Sequence, residues 1–181
     1  MKRRLLITGA ACAITTAMLL GGCASAPTPA DYAAEKPLLD LKTYFNGELA
    51  AQGIFTDRAG RIVRRFTVQM TGTWVGDDGT LDERFTYSDG KTERRVWRLK
   101  HLGGGRYSGR ADDVVGEAVG VAAGNTLQWR YTLKLPVDDS VYEVQFDDWM
   151  VLIDDRVMLN KAAMSKFGIH LGEVTLAFQR R

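Results

Sequence analysis

The chain is poor in the residues that build disulfides and most transition-metal sites. It contains two cysteines and two histidines among 181 residues. Cys12 lies inside an apolar N-terminal run and Cys23 follows that run, so the remaining sequence offers no thiol for a disulfide or for catalysis. His101 and His170 lie far apart, beside no cysteine, and no glycine-rich phosphate-binding motif is present. We therefore expect neither a metal site nor a cofactor.

The long hydrophobic run at the N-terminus has the features of a lipoprotein signal. Three basic residues precede an uncharged apolar stretch over residues 5–20, which ends in the lipobox Leu20-Gly21-Gly22-Cys23. The stretch is short for a transmembrane helix. We predict a signal peptide over residues 1–22 and lipidation of Cys23. An ordinary cleaved signal followed by a chance cysteine is the alternative.

Little net charge remains once the signal is removed. Cleavage takes three basic residues and no acidic one, which leaves 21 Lys and Arg against 22 Asp and Glu. This balance argues against nucleic acid as a partner. Residues 23–36, rich in Ala and Pro, are predicted to form a lipidated flexible tether, and residues 37–181 a single domain. In enteric-type bacteria an aspartate after the lipidated cysteine retains the protein in the inner membrane. Ala24 at that position favours the periplasmic face of the outer membrane.

Apolar residues recur at every second position from Leu49 onward, which is the period of β-strands. The clearest alternation places five residues on one face: Leu127, Trp129, Tyr131, Leu133 and Leu135. About nine or ten strands separated by turn signals indicate an antiparallel meander. One apolar face per strand is compatible with a sandwich or a closed barrel. We predict a mainly β fold, a single up-and-down, lipocalin-like barrel of about eight to ten strands, because closure removes edge strands.

Two hairpins have a predicted register, and two short helices are expected beside the strands. The first hairpin pairs Phe55 with Ile62. The second pairs Phe85 with Arg95, which brings Glu83 diagonally opposite Arg95. Proline at the start and apolar spacing indicate a helix over 37–45 that closes one end of the barrel. An asparagine cap and a terminal glycine indicate a second helix over 160–168.

Charged residues interrupt the apolar strand faces at five positions: Arg64, Glu83, Glu93, Arg95 and Asp148. A charge inside a barrel is costly unless it is paired. We therefore expect an internal polar patch in which Arg95 receives a ligand carboxylate and Glu83 holds Arg95 in place. The alternative places several of these residues at the rim, in solvent-exposed ion pairs. The paired aspartates at 112–113 are interpreted as turn residues.

Aromatic residues occupy the same predicted inward face. Trp97, Trp129 and Tyr131 are expected to bind a ligand together with Glu83, Arg95 and Asp148. Small inward residues such as Gly53 and Gly120 are expected to leave room for it. The alternative is that the aromatic side chains only fill the core.

Several short motifs resemble an uncharacterised domain-of-unknown-function family of proteobacterial lipoproteins with a lipocalin-like barrel. The motifs include Ala51-Gln52-Gly53, Leu135-Pro136-Val137, Phe146-Asp147-Asp148-Trp149-Met150 and Met164-Ser165-Lys166-Phe167-Gly168. The resemblance implies a connection with membrane fatty acids. The family has no established activity, so no catalytic residue follows from it.

The sequence predicts a lipid-anchored periplasmic protein that binds or carries an apolar ligand, a fatty acyl group or a membrane lipid. Its expected partners are the membrane, through the anchor, and that ligand. An enzyme that isomerises, hydrates or hydrolyses a lipid through a buried Asp148 or Glu83 is the first alternative. A structural or assembly protein of the envelope with a filled barrel is the second. A titrating buried carboxyl group beside an open cavity favours the enzyme, and a filled interior favours the structural protein.

Overall fold

A computed structural model describes residues 25–137 and 139–181, so the predicted signal and Cys23 lie outside the described residues. Within these ranges the chain forms ten strands. They are β1 Gly47–Asp57, β2 Ile62–Val75, β3 Asp78–Tyr87, β4 Thr92–Gly103, β5 Arg106–Arg110, β6 Ala118–Ala123, β7 Thr126–Val137, β8 Ser140–Leu152, β9 Val157–Lys166 and β10 Ile169–Arg180.

The ten strands close into one antiparallel barrel. Each strand pairs with its neighbours in the chain, and β1 pairs with β10 to complete the ring. The predicted up-and-down barrel is confirmed, and the sandwich alternative is excluded. Leu127, Trp129 and Leu133 are buried, and all five residues of the alternating face of β7 line the barrel interior.

Both predicted hairpins form, but the register of each differs by two residues. Phe55 pairs with Arg64 instead of Ile62, because the turn closes between Asp57 and Arg61 and a bulge follows Phe55. A shift of two residues keeps every side chain on its predicted face.

The second hairpin turns around Asp89, whose carboxylate accepts a bond from the Lys91 amide. Phe85 therefore pairs with Glu93, and Glu83 lies directly opposite Arg95 instead of diagonally. The two charged side chains thus share one cross-strand pair on the inner face.

The helix predicted over 160–168 is wrong. Asn160 belongs to β9, which pairs with β8 on one side and β10 on the other. Pairing on both sides satisfies the backbone and overrides the local helix signals. The turn after β9 contains Phe167 and Gly168, both at positive φ, so the glycine ends a strand and not a helix.

The N-terminal segment closes one end of the barrel. The predicted helix over 37–45 is reduced to one turn, α1 (Leu41–Tyr44), capped by the carboxylate of Asp40. Tyr107 also donates to Asp40 at 3.1 Å, which fixes the plug to the barrel wall. Within the segment predicted as a tether, a 3-10 helix over Pro29–Tyr32 packs on β6 and β7. Among the described residues, no helix is long and apolar enough to span a bilayer.

Inward glycines make space for aromatic rings. A Cβ atom on Gly120 would lie 2.3 Å from the Trp129 ring, and one on Gly109 would lie 2.7 Å from it. A Cβ on Gly53 would lie 2.5 Å from Phe66. The glycines at 53, 109 and 120 are therefore covered by rings from neighbouring strands, so the room they provide is not all available to a ligand.

Candidate functional site

A cavity of about 990 Å³ occupies the barrel interior. It extends from Leu41 and Phe45 at the plugged end to residues beside the turns at the opposite end, including Asp57, Glu93 and Val137. Its volume lies near the top of the range for ligand pockets, roughly 300–1,000 Å³. The interior is therefore large enough for a ligand.

The structure places all six predicted ligand-binding residues on the wall of this cavity: Glu83, Arg95, Trp97, Trp129, Tyr131 and Asp148. The aromatic members form one connected group. The Trp97 ring meets Trp129 and Tyr131 edge to face, with centroid distances of 5.8 and 5.5 Å. Tyr131 stacks on Phe146 at 5.0 Å. These contacts hold the rings in fixed orientations along the wall.

Arg95 is held by two carboxylates on the β3–β4 side of the cavity. Its Nε and Nη2 atoms lie 2.8 and 2.7 Å from Oδ2 of Asp113, whereas Nη1 lies 3.9 Å from Oε2 of Glu83. Burial acts to lower the pKa of Arg95, but the nearby Glu83 and the bond to Asp113 outweigh it and raise the pKa. The shorter distances make Asp113, rather than Glu83, the hydrogen-bond partner of Arg95.

A second polar pair lies on the β8–β9 side. Asn160 donates through Nδ2 to Oδ2 of Asp148 at 3.2 Å, and both residues are buried. The Asp148–Asn160 pair is five places from the Glu83–Arg95 pair in the ring of ten strands. The two pairs therefore belong to opposite walls of the cavity.

Both buried carboxyl groups titrate near neutrality. Burial raises the pKa of Glu83 to about 7, although the charge of Arg95 opposes this rise. Burial likewise raises the pKa of Asp148 to about 7, and the bond from Asn160 opposes it. Burial, reinforced by the charge of Asp148, keeps the pKa of Tyr131 well above its usual value, so its hydroxyl stays protonated. The site contains two groups that exchange protons near pH 7.

Two residues of this site, Asp113 and Asn160, were not predicted from the sequence. Asp113 lies in the loop after β5 and was interpreted as a turn residue. That loop folds back along β7, where Val114 bridges to Leu133, and so carries Asp113 towards Arg95. Asn160 was interpreted as a helix cap. A strand reading of residues 158–164 would have placed Asn160 on the inner face with Asp148, whereas no periodic signal points to Asp113.

The other two interrupting charges lie beside the turns, as the rim alternative predicted. Arg64 forms an ion pair with Asp89 at 3.0 Å, and its guanidinium covers the Tyr87 ring. Glu93 accepts a bond from the Tyr87 hydroxyl at 2.8 Å. Rim ion pairs and an interior polar site are therefore both present in this barrel.

The described residues bring together no cluster of three His, Cys, Asp or Glu side chains that could hold a metal ion. His101 contacts Asp77 through Nδ1 at 3.1 Å, beside the β2–β3 turn. The described wall of the cavity offers hydrogen bonding, proton exchange and apolar contact.

The fold and the cavity define a ten-stranded up-and-down barrel with an interior of ligand size. The sequence model described as "Protein of unknown function (DUF3833)" matches residues 17–180, and the chain belongs to this family. The expected relationship to an uncharacterised family is thus confirmed. No curated protein matches the chain.

Three solved structures are similar to this chain. A protein of unknown function from the DUF3598 family of Nostoc punctiforme PCC 73102 has a TM-score of 0.52 and 16% identity, covering 82% of this chain and 51% of that one. The protein EF1p2_mFAP2b bound to DFHBI has a TM-score of 0.45 and 12% identity, covering 84% and 99%. A fluorescence-activating beta barrel designed de novo has a TM-score of 0.41 and 13% identity, covering 80% and 100%. The DUF3598 structure shows a shared fold alone, over about half of its length.

Proposed function

We propose that this protein binds or carries one apolar ligand, a fatty acyl group or another part of a membrane lipid, inside the barrel. The observation that carries this proposal is the 990 Å³ cavity, whose wall is mostly aromatic and aliphatic around a small polar cluster. An apolar chain on such a wall gains free energy with the area it removes from water, about 25 cal/mol per Å². The few polar groups orient the ligand.

The size of the cavity argues against the structural alternative. Side chains pack the centre of a structural barrel, whereas this interior keeps ligand-sized space beside Tyr131 and Asp148. Aromatic residues such as Trp129 do fill part of the core, which was the alternative to a ligand-binding role. They line the remaining space without closing it.

The enzyme alternative keeps support from one observation. Glu83 and Asp148 are buried carboxyl groups with pKa values of about 7 on the wall of the cavity. Such groups can donate and accept protons at neutral pH, as general acid–base catalysis requires. An isomerisation, hydration or hydrolysis of a bound lipid would use this pair.

Filling the cavity should prevent ligand binding. Met164 lies on β9, half-buried, and lines the cavity. Met164→Trp should weaken binding of an apolar fluorophore such as N-phenylnaphthylamine about tenfold or more, because the indole takes space that the ligand needs. Fluorescence titration measures the dissociation constant, and mass spectrometry identifies lipids that co-purify with the wild type.

The control is a tryptophan substitution on the outer face of β9. Leu159 is 46% exposed, and its side chain points away from the cavity. Leu159→Trp also adds one tryptophan to β9, and it should leave the dissociation constant unchanged. Equal effects of the two variants, or no saturable binding by the wild type, would remove the ligand-binding proposal. A bound lipid that the wild type converts and an Asp148→Asn variant does not would favour the enzyme.

We further propose that the barrel is anchored at the periplasmic face of the outer membrane through lipid on Cys23. The support is sequence alone: the apolar stretch over 5–20 and its lipobox. Cys23→Ser in the full chain should abolish incorporation of labelled palmitate and release the protein from the membrane fraction. Labelled palmitate in that variant would contradict the anchor.

A further inference from the structure

Several acceptor oxygens in the polar cluster of the cavity have no protein donor. Within the part of the chain that the structure describes, four buried oxygens lack a protein hydrogen-bond partner: Oε2 of Glu83, and Oδ1 of Asp113, Asp148 and Asn160. All four residues line the cavity, and Glu83, Asp148 and Asn160 are only 8%, 5% and 4% exposed. A buried acceptor left without a donor is costly, so these oxygens select for a donor.

The buried cation of the cluster is already matched. Asp113 takes two of the donor atoms of Arg95, and Nη1 of Arg95 lies 3.9 Å from Glu83. On the opposite wall, the side-chain amide of Asn160 already donates to Oδ2 of Asp148. A ligand carboxylate at Arg95 would therefore meet two carboxyl groups that already face the guanidinium.

The charge balance of the cluster disfavours an anion. The charges of Arg95 and Asp113 cancel, which leaves Glu83 and Asp148 either neutral or negative. With Glu83 and Asp148 ionised, a carboxylate or phosphate placed between these walls would meet like charge without an unpaired cation. A neutral or positively charged donor would meet acceptor oxygens without charge repulsion.

We propose that the buried polar end of the ligand is a hydrogen-bond donor, a hydroxyl or amino group, that donates to the Oδ1 atoms of the Asp148–Asn160 pair on one wall of the cavity. This inference rests on the proposed ligand-binding function and specifies its ligand class. It replaces the expectation that Arg95 receives a carboxylate. The apolar part of the ligand then lies along the aromatic wall that contains Trp97 and Tyr131.

Four ligands with the same alkyl chain test this inference: dodecanol, dodecylamine, dodecanoate and methyl dodecanoate. Each displaces N-phenylnaphthylamine from the purified protein near neutral pH. Dodecanol and dodecylamine should bind about tenfold more tightly than dodecanoate and methyl dodecanoate, the scale for losing one buried hydrogen bond. Methyl dodecanoate offers acceptors only and so isolates the donor from chain length.

Variants at two adjacent positions of β8 localise the effect. Asp148→Leu should remove most of the preference for dodecanol over methyl dodecanoate, whereas Asp148→Asn, which retains an acceptor, should keep most of it. The matched control is Asp147→Leu. Asp147 points outward, and its Oδ1 accepts a hydrogen bond from Nε2 of Gln128 at 2.8 Å. This control should retain the full preference.

The outcomes separate this inference from the proposed function. Tightest binding of dodecanoate, or equal binding of all four ligands, would overturn the donor inference while ligand binding stands. Failure of the fluorophore and of all four ligands to bind would overturn both.

Discussion

Replacing Asp113 with alanine should lower the free energy of unfolding by about 3 kcal/mol, the cost of leaving a buried charge without its partner. Arg95 loses both of its bonds near 2.8 Å and keeps only Glu83 at 3.9 Å. Denaturant unfolding followed by tryptophan fluorescence measures the loss, since Trp97 adjoins the site in sequence and lines the same cavity.

The neighbouring aspartate supplies the control. Asp112 has a 98% exposed side chain that lies 3.5 Å from the exposed Arg98. Asp112→Ala should change the free energy of unfolding by less than about 0.5 kcal/mol, since exposed ion pairs contribute little. In an Arg95→Met background Asp113→Ala should also have a small effect. Equal losses for the two aspartate variants would show that Asp113 does not hold a buried charge.

Removing the two buried carboxyl groups should flatten the pH dependence of stability. Glu83 and Asp148 have pKa values of about 7 in the folded protein and ordinary values near 4 when unfolded. The folded state therefore holds extra protons between about pH 4 and pH 7. Their contribution to stability is complete at the acidic end of this window and is lost as the pH rises through 7, on the order of 3 kcal/mol per group.

The double variant Glu83→Gln, Asp148→Asn lacks both titrations. Relative to wild type, its free energy of unfolding should rise between about pH 4 and pH 7 and level off above that range. Asp82 provides a control on the outer face of β3, because hydrogen bonds from Arg94 lower its pKa. Asp82→Asn should leave the slope across that window unchanged. A double variant that tracks the wild type at every pH would show that neither buried carboxyl titrates near neutrality.

Alternation in the sequence was enough to find the inner face of the barrel. A side chain in a strand points to one of two sides, so the period alone assigned Trp97, Trp129 and Tyr131 to the interior. The same rule identified Glu83, Arg95 and Asp148 as charges on an apolar face, and all six line the cavity. The register shift of two residues in each hairpin left these assignments unchanged, because a shift of two keeps every side chain on the same face of the sheet.

Local sequence patterns were sufficient for the fold class, the inward residues and the family to which the chain belongs. Which of those residues meet depended on the folded chain. Pairing of β9 on both sides overrode the helix signals at Asn160 and brought that residue to Asp148. The loop after β5 carried Asp113 to Arg95, a contact between residues 18 apart in sequence that no period encodes. A local pattern fixes the direction of a side chain, whereas partners across a barrel depend on the closure of the whole ring, which only the complete fold specifies.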